Sequence, residues 1–488
     1  MKESASSPTI STATRSESPS SAKRVDKSRS SAQRCGHQRP QHKRKLRFEQ
    51  LLTFLATATD DQKTTKLIEY WQEPNSTITE LRLLLTLGAC PEQLYENEFG
   101  QMALRGRIEQ GLCHKCIVDH ENFLDRAMDV WNAQFRDKPI VSKVADAKRK
   151  SGLVALALDG GGIRGLVSIT MLMFISRRLF GNERIVDHSD WLAGTSTGSM
   201  LALAITKGMS LTTCFHQYIK GEIFVESSSV ARLFGSVVKK QTENLDAILA
   251  KTFDDAVDTF TNMTDKRLSV PALDISTTPA RLEVFRNYSV HLTDPDLQPS
   301  NVTFRDAAKA SSAAPTFFYP HLLNGRRYVD GSMAANCPLG VLLQEYDLSQ
   351  KFGGISSLGC VISLGTGDVS ATDRQYTYGG TLRKKTTNLL HLTQLLLEQV
   401  SGYEQSTLQC ARNRCAAYDI PFFRFSPPAI DVVLNETDPA KLMTMVWKTF
   451  VYMTDNAQEV DRLGQMINSL YSTNNNFDES KKRSNTIL

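Results

Sequence analysis

An α/β fold with a mainly parallel sheet, preceded by a small helical region, is what this 488-residue sequence predicts. Three observations carry that expectation. The run LVALAL (153–158) is apolar at every position, as a strand covered on both faces must be. From there on, strand-like runs alternate with helix-length apolar segments, the pattern of a parallel sheet whose crossovers are helices. Ahead of residue 150 the apolar spacing has the period of helices instead.

Composition bounds the class. The chain is 41% hydrophobic and 22% charged, with a mean hydropathy of −0.28, as in a soluble globular protein. Its length exceeds what one core usually organises, which predicts two or more domains. No segment reaches the ~18 apolar residues of a spanning helix. The best candidate, LVSITMLMFI (166–175), reads as a buried helix, and the first residues lack the apolar centre of a secretory signal. Membrane contact is therefore expected to be peripheral, and nucleic acid is not an expected partner. Nine scattered cysteines, an odd number, suit reduced thiols and a cytoplasmic setting. Cys113 and Cys116 enclose His114 in one C-x-x-C, but no second pair follows at zinc spacing, so they read as ordinary helix thiols.

The net charge of +5 is unevenly placed. Residues 1–48 set twelve Lys/Arg against Glu3, Glu17 and Asp26, a balance of +9 that leaves −4 for the rest. This Ser-rich segment has no apolar period and is expected to be a disordered tail. Attraction to anionic lipid, nuclear import and a mitochondrial transit role are its other readings, the last opposed by the three acids.

Residues 49–150 are expected to be helical, through FEQLLTFLATATDDQKTTKLIEYW and FLDRAMDVWNAQF. Between these, LRLLLTLGACPEQLYENEFGQMALRGRIEQG (81–111) resembles one ankyrin unit, with Met102 and Arg105 in place of the repeat's Pro and His. A stable stack needs about three units. The stretch is thus one degenerate unit or a helical pair packed on the main domain, and a protein partner or second copy of the chain would bind there. DAKRKSG (146–152) reads as the linker. The core, 151–370, runs through strand LVALAL, helix LVSITMLMFISRRL, strand WLAG, helix SMLALAIT, strands LSVPALDIS and ARLEVFRNYSV, helix FRDAAKASSA, strand RRYVDG and strand SLGCVISLGTG. Two long helical patterns with the strand IPFFRFSP between them fill 371–475, and 476–488 is a flexible tail.

Two glycine-bearing turns carry the chemistry. Gly194-Thr195-Ser196-Thr197-Gly198 is a G-x-S-x-G between a strand and an apolar helix, the setting of a nucleophile elbow. DGGGIRG (159–165) follows LVALAL and fits G-x-G-x-x-G through Gly160, Gly162 and Gly165. That loop could cradle a dinucleotide, with Glu183 or Asp187 on the ribose. But the next strand ends in the serine turn, and an acyl-transfer enzyme needs backbone N–H donors for an oxyanion, which consecutive glycines supply. Arg164 would add charge there or sit solvated on the helix. A base for Ser196 is harder to find. His216 and His391 lie on helices, His291 carries no motif, and His321 lies in a loop and is the histidine to test. Asp330 stands at a strand end before Gly331.

In that order, LDGGGIRG, GTSTG and VDGS resemble the three signatures of the patatin-like phospholipases. ASSAAPTFF (310–318) and VISLGTG (361–367) match as well. IPFFRFSP and WKTFVYMTDNAQEVDRLGQMI further resemble the animal calcium-independent phospholipase A2 branch, which carries ankyrin repeats ahead of its catalytic domain. The similarity covers about 153–470. It implies a three-layer α/β/α catalytic domain and a Ser–Asp dyad, with Ser196 the nucleophile and Asp330 its base. Gly160, Gly161 and Gly162 with Arg164 would form the oxyanion site, and Gly165, Gly194, Gly198 and Gly331 would shape the turns. The implied substrate is a glycerophospholipid at a membrane surface, cleaved to release fatty acid. No calcium loop of the form D-x-[DN]-x-[DN]-G-x₅-E is present, so neither metal nor cofactor is expected. Ser199 and Ser332 stand where the family more often has Gly or Ala, though both are small residues that should keep the turns. The rival readings are a nucleotide-binding oxidoreductase using Gly160–Gly165 and a catalytically silent lipid-binding scaffold.

Overall fold

The structure, a computed structural model, describes residues 40–135, 138–141, 152–181, 185–224, 235–263, 265–291, 294, 297–352, 354–368 and 404–471. The linker 146–151, most of the basic tail, His391 and the terminal segment 476–488 lie outside these.

The chain begins with helices α1 (Gln41–Leu55), α2 (Asp60–Gln72), α3 (Ile78–Thr86), α4 (Phe99–Glu109) and α5 (His114–Gln134). The first starts inside the span that composition assigned to a disordered tail. Its cause is an apolar stripe: Phe48, Leu51, Leu52 and Leu55 are all buried, at the spacing of one helix face. Thr59 and Gln62 close a capping box on α2, and Thr77 and Glu80 close one on α3. Within 81–111, α3 and α4 each pack on α2 and α5, with two 3₁₀ turns between them.

The following region supplies β1 (Leu153–Leu158), α6 (Gly165–Phe180), β2 (Trp191–Gly194), α7 (Thr197–Thr206), α8 (Leu211–Ile219), α9 (Ser236–Thr252), β3 (Arg267–Asp274), β4 (Arg281–Arg286), α10 (Phe304–Ser312), β5 (His321–Leu323) and β6 (Arg326–Asp330). After these come α11 (Ser332–Ala335), α12 (Leu339–Phe352), β7 (Leu358–Leu364), α13 (Glu404–Ala417), β8 (Phe422–Phe425), α14 (Pro439–Asp455) and α15 (Ala457–Tyr471). One eight-stranded sheet runs β5-β6-β3-β2-β1-β7-β8, with β4 also on β3. The five strands β3-β2-β1-β7-β8 are mutually parallel, while β4 and β6 run antiparallel to β3, and β5 to β6.

Alternation along β1 explains the layers. Val154, Leu156 and Leu158 enter one core with α6, α7 and α14; Ala155 and Ala157 enter another with Leu342 and Tyr346 of α12. The sheet is therefore sandwiched between helices, as predicted. The first core continues without a break into the N-terminal helices. Phe123 of α5 lies 5.2 Å from the Trp447 ring of α14, and Arg82 of α3 donates to Thr444 at 3.1 Å.

Two local expectations change. The final helical pattern divides at Asn456 into α14 and α15, and His321 lies in strand β5 rather than a loop. Helix α9 has no counterpart in the sequence reading. Among the described residues no helix is long and apolar enough to cross a membrane.

Candidate active site

Register brings the motifs together. Leu158, the last residue of β1, is the partner of Gly194, the last of β2, so the glycine loop and the serine turn leave neighbouring strands side by side. Strand β6 pairs with β3, next to β2, and sets Asp330 opposite Ala272.

Ser196 has φ 53° and ψ −121°, a left-handed conformation that a serine adopts only when its surroundings impose it. The surroundings do so. A Cβ on Gly194 would strike the Gly198 carbonyl, and one on Gly198 would strike that of Leu158, so the turn closes only with glycine at both. Gly165 abuts Thr197, and Gly331 abuts the Pro271 carbonyl. The Ser196 N–H donates to Ser311 Oγ at 2.9 Å, and that hydroxyl donates to the Pro271 carbonyl at 2.7 Å. Ser196 thus caps α7, with its hydroxyl at the positive end of the helix.

That hydroxyl donates to Asp330 Oδ2 at 2.7 Å. The other oxygen, Oδ1, accepts the Ser332 N–H at 2.7 Å. Asp330 is buried, and desolvation pushes its carboxyl up to about 6 against the opposing hydrogen bonds from Ser332 and Ser196.

Around Ser196 opens a pocket of about 750 Å³, mouth included. Its walls are mostly apolar, with Met200, Ile223, Phe224, Leu245, Phe317 and Phe318 among them, and Gly161, Gly162 and Asp330 at its polar end. Among the described residues no histidine lines it. His321 bonds Asp306 at 3.0 Å, His291 packs on Phe352, and His216 is half-buried on α8.

The glycine loop divides unevenly. Gly160 N–H donates to the Asn336 carbonyl at 3.1 Å, and the Gly160 carbonyl accepts the Thr366 hydroxyl at 2.9 Å. Gly160 is therefore pinned, and the N–H groups of Gly161 and Gly162 are the ones left beside the pocket. Arg164 is buried, which corrects the expectation of a solvated helix residue. Ile163 N–H holds the loop to the Leu434 carbonyl at 2.9 Å. At its root, Asp159 is fully buried and paired with Arg424 Nη2 at 2.6 Å. Ser311, Asn336, Thr366, Leu434 and Arg424 had no role in the sequence reading. Ser311, Thr366 and Arg424 lay in the quoted runs ASSAAPTFF, VISLGTG and IPFFRFSP; Asn336 and Leu434 reach the site only through the fold.

The site thus sets a strained serine on a strand–turn–helix bend of a parallel sheet, bonded to a buried carboxylate and facing an apolar pocket. Residues 156–343 match the sequence model of the patatin-like phospholipases. That segment is a patatin-like phospholipase domain. It is similar to a rat 85/88 kDa calcium-independent phospholipase A2, with 32% identity over 67% of this chain and 42% of the rat protein. It is also similar to an intracellular phospholipase A2 of Caenorhabditis elegans, 28% identical over 65% of this chain and 29% of the worm protein. With Patatin-T5 of Solanum tuberosum it shares 27% identity over 51% of this chain and 70% of the potato protein. The match spans less than half the length of the rat and worm relatives.

Proposed function

We propose that this chain is a calcium-independent phospholipase A2-type acyl hydrolase that releases fatty acids from glycerophospholipids through a Ser196–Asp330 dyad. The observation that carries the reading is the 2.7 Å contact between the Ser196 hydroxyl and Asp330 Oδ2 at a strained elbow. Ser196 Oγ attacks the ester carbonyl while its proton passes to Asp330. The N–H groups of Gly161 and Gly162, with the α7 terminus, face the developing oxyanion. Protonated Asp330 then delivers the proton to the departing alcohol, leaving an acyl-serine. A water that gives its proton to Asp330 attacks that ester, and Asp330 passes the proton on to Ser196 Oγ as the fatty acid leaves. A carboxyl near 6 suits both directions of transfer at neutral pH. The apolar walls take the acyl chain, and the enzyme works at a membrane surface by peripheral contact from the cytoplasm.

A fluorophosphonate probe followed by peptide mapping tests the nucleophile, and hydrolysis of phosphatidylcholine vesicles in excess chelator tests the reaction. The wild-type chain is expected to label at Ser196 and to hydrolyse lipid, while Ser196→Ala does neither. Lipid hydrolysis that survives Ser196→Ala overturns the reading.

A further inference from the structure

A second cleft, sharing no lining residue with the Ser196 pocket, lies between the N-terminal helices and α14. It holds about 1150 Å³, mouth included, room for a ligand well beyond one phosphate. The first turns of α1, α3, α5 and α14 all line it, so the positive ends of four long helices converge there. Arg44, Lys45, Arg82 and Lys115 line it too. No carboxylate lies within ion-pair distance of Arg44, Lys45 or Lys115 among the described residues.

Arg82 is the unusual one. It is only 6% exposed, yet its Nε has no acceptor and its Nη1 donates to the neutral Thr444 hydroxyl. The nearest carboxylate oxygen, of Asp119, stands at 3.9 Å, too far for a hydrogen bond. Burial outweighs Asp119 and pulls the Arg82 guanidinium down to about 10. The cleft's other acids are engaged elsewhere. Glu80 pairs with Arg47 at 2.8 Å, and Asp438 caps its own helix through Ala440 N–H at 2.9 Å. A buried cation with unmet donors, ringed by unpaired cations and helix N-termini, is costly when empty and matched by a tetrahedral anion with several acceptor oxygens.

We propose that this cleft binds a phosphate-bearing group, with Arg82 at its base and Arg44, Lys45 and Lys115 around it. Its wall at Thr437–Ala440 continues from Leu434, whose carbonyl holds the glycine loop through Ile163. Occupancy therefore bears on the reactivity of Ser196, a consequence that rests on the function proposed above, whereas binding itself does not.

Calorimetric titration of the full chain with inorganic tripolyphosphate tests the site. Saturable one-to-one binding is expected, weakened about tenfold or more in Arg44→Gln/Lys115→Gln and unchanged in Lys66→Gln, which lies on α2 paired with Glu69. Arg82→Gln should abolish it; should that variant misfold, the exposed-side pair still decides. No saturable heat at millimolar ligand, or equal binding by the Arg44/Lys115 variant, overturns the proposal. Co-sedimentation with phosphatidylcholine vesicles carrying phosphatidylinositol bisphosphate separates the sources. Recruitment that tripolyphosphate competes away assigns a lipid headgroup, and tripolyphosphate binding without recruitment assigns a soluble ligand. Fluorophosphonate labelling of Ser196 is expected to change at least about twofold on binding, and labelling indifferent to bound tripolyphosphate overturns the coupling.

Discussion

At Asp330 the charged form is the costly one. Its carboxyl titrates near 6 in the fold, against about 3.9 in an unfolded chain. Between those values the folded state holds the proton more tightly. The stability this contributes is complete below about pH 4 and is lost as pH rises through about 6. The proposed base must be ionised to act, so kcat/KM on a monomeric soluble ester should rise through a single step centred near pH 6. Asp330→Asn should lose activity by about 10³-fold or more, yet unfold at higher urea than wild type at pH 8. The upper bound of that gain is about 3 kcal/mol, from two pKa units at about 1.4 kcal/mol each. An activity step far from pH 6, or an Asn variant less stable at pH 8 than at pH 5 relative to wild type, would count against a desolvated base. At Gly161 the constraint is space: an added Cβ would press on the Thr366 side chain, which itself anchors the Gly160 carbonyl. Gly161→Ala should therefore lower kcat about 10²–10³-fold with near-native circular dichroism, checked by initial rates on the same ester.

At the scale of elements, the glycine loop depends on strands that are far apart in sequence. Asp159, at the end of β1, and Arg424, on β8, form a buried pair that also reaches Ser363 on β7 at 2.8 Å. Desolvation raises the Asp159 carboxyl, and Arg424 opposes that shift. Removing only the cation leaves a buried carboxylate unpaired, so Arg424→Met should cost about 3–5 kcal/mol. Asp159→Asn/Arg424→Met should recover part of that loss, because no uncompensated charge remains. Urea denaturation of the three variants measures both effects. Equal stabilities would mean that the pair contributes nothing to holding β1 and β8 in register.

For the whole molecule, packing ties the N-terminal helices to the sheet's own core. Leu81, Leu84 and Phe123 share one continuous core with Leu442, Trp447 and Phe450 of α14. Each such side chain is worth about 1.5–3 kcal/mol when buried, and a domain's net stability is only about 5–15 kcal/mol. A chain starting at Gly152 should consequently aggregate or fail to fold, read by size-exclusion chromatography and near-UV circular dichroism. A monomeric, cooperatively unfolding 152–471 fragment would show that the N-terminal helices merely dock.

Much of this was legible because it is local. The both-faces-apolar LVALAL, the helix periods that follow, and the glycines flanking Ser196 are short-range consequences of strand burial and turn sterics. The order of the three motifs was enough to single out Ser196 and Asp330 before any contact was known. What the tertiary structure decided is long-range. It joined Ser196 to Asp330 across 134 positions, pinned Gly160 to Asn336, buried Arg164 and carried His321 away to Asp306. It also turned the end of a seemingly disordered basic tail into α1, whose stripe of Phe48, Leu51, Leu52 and Leu55 has value only against partners elsewhere in the chain. Turn chemistry and periodicity are written in neighbouring residues, whereas a hydrogen-bond partner or a buried face exists only once the chain has closed upon itself.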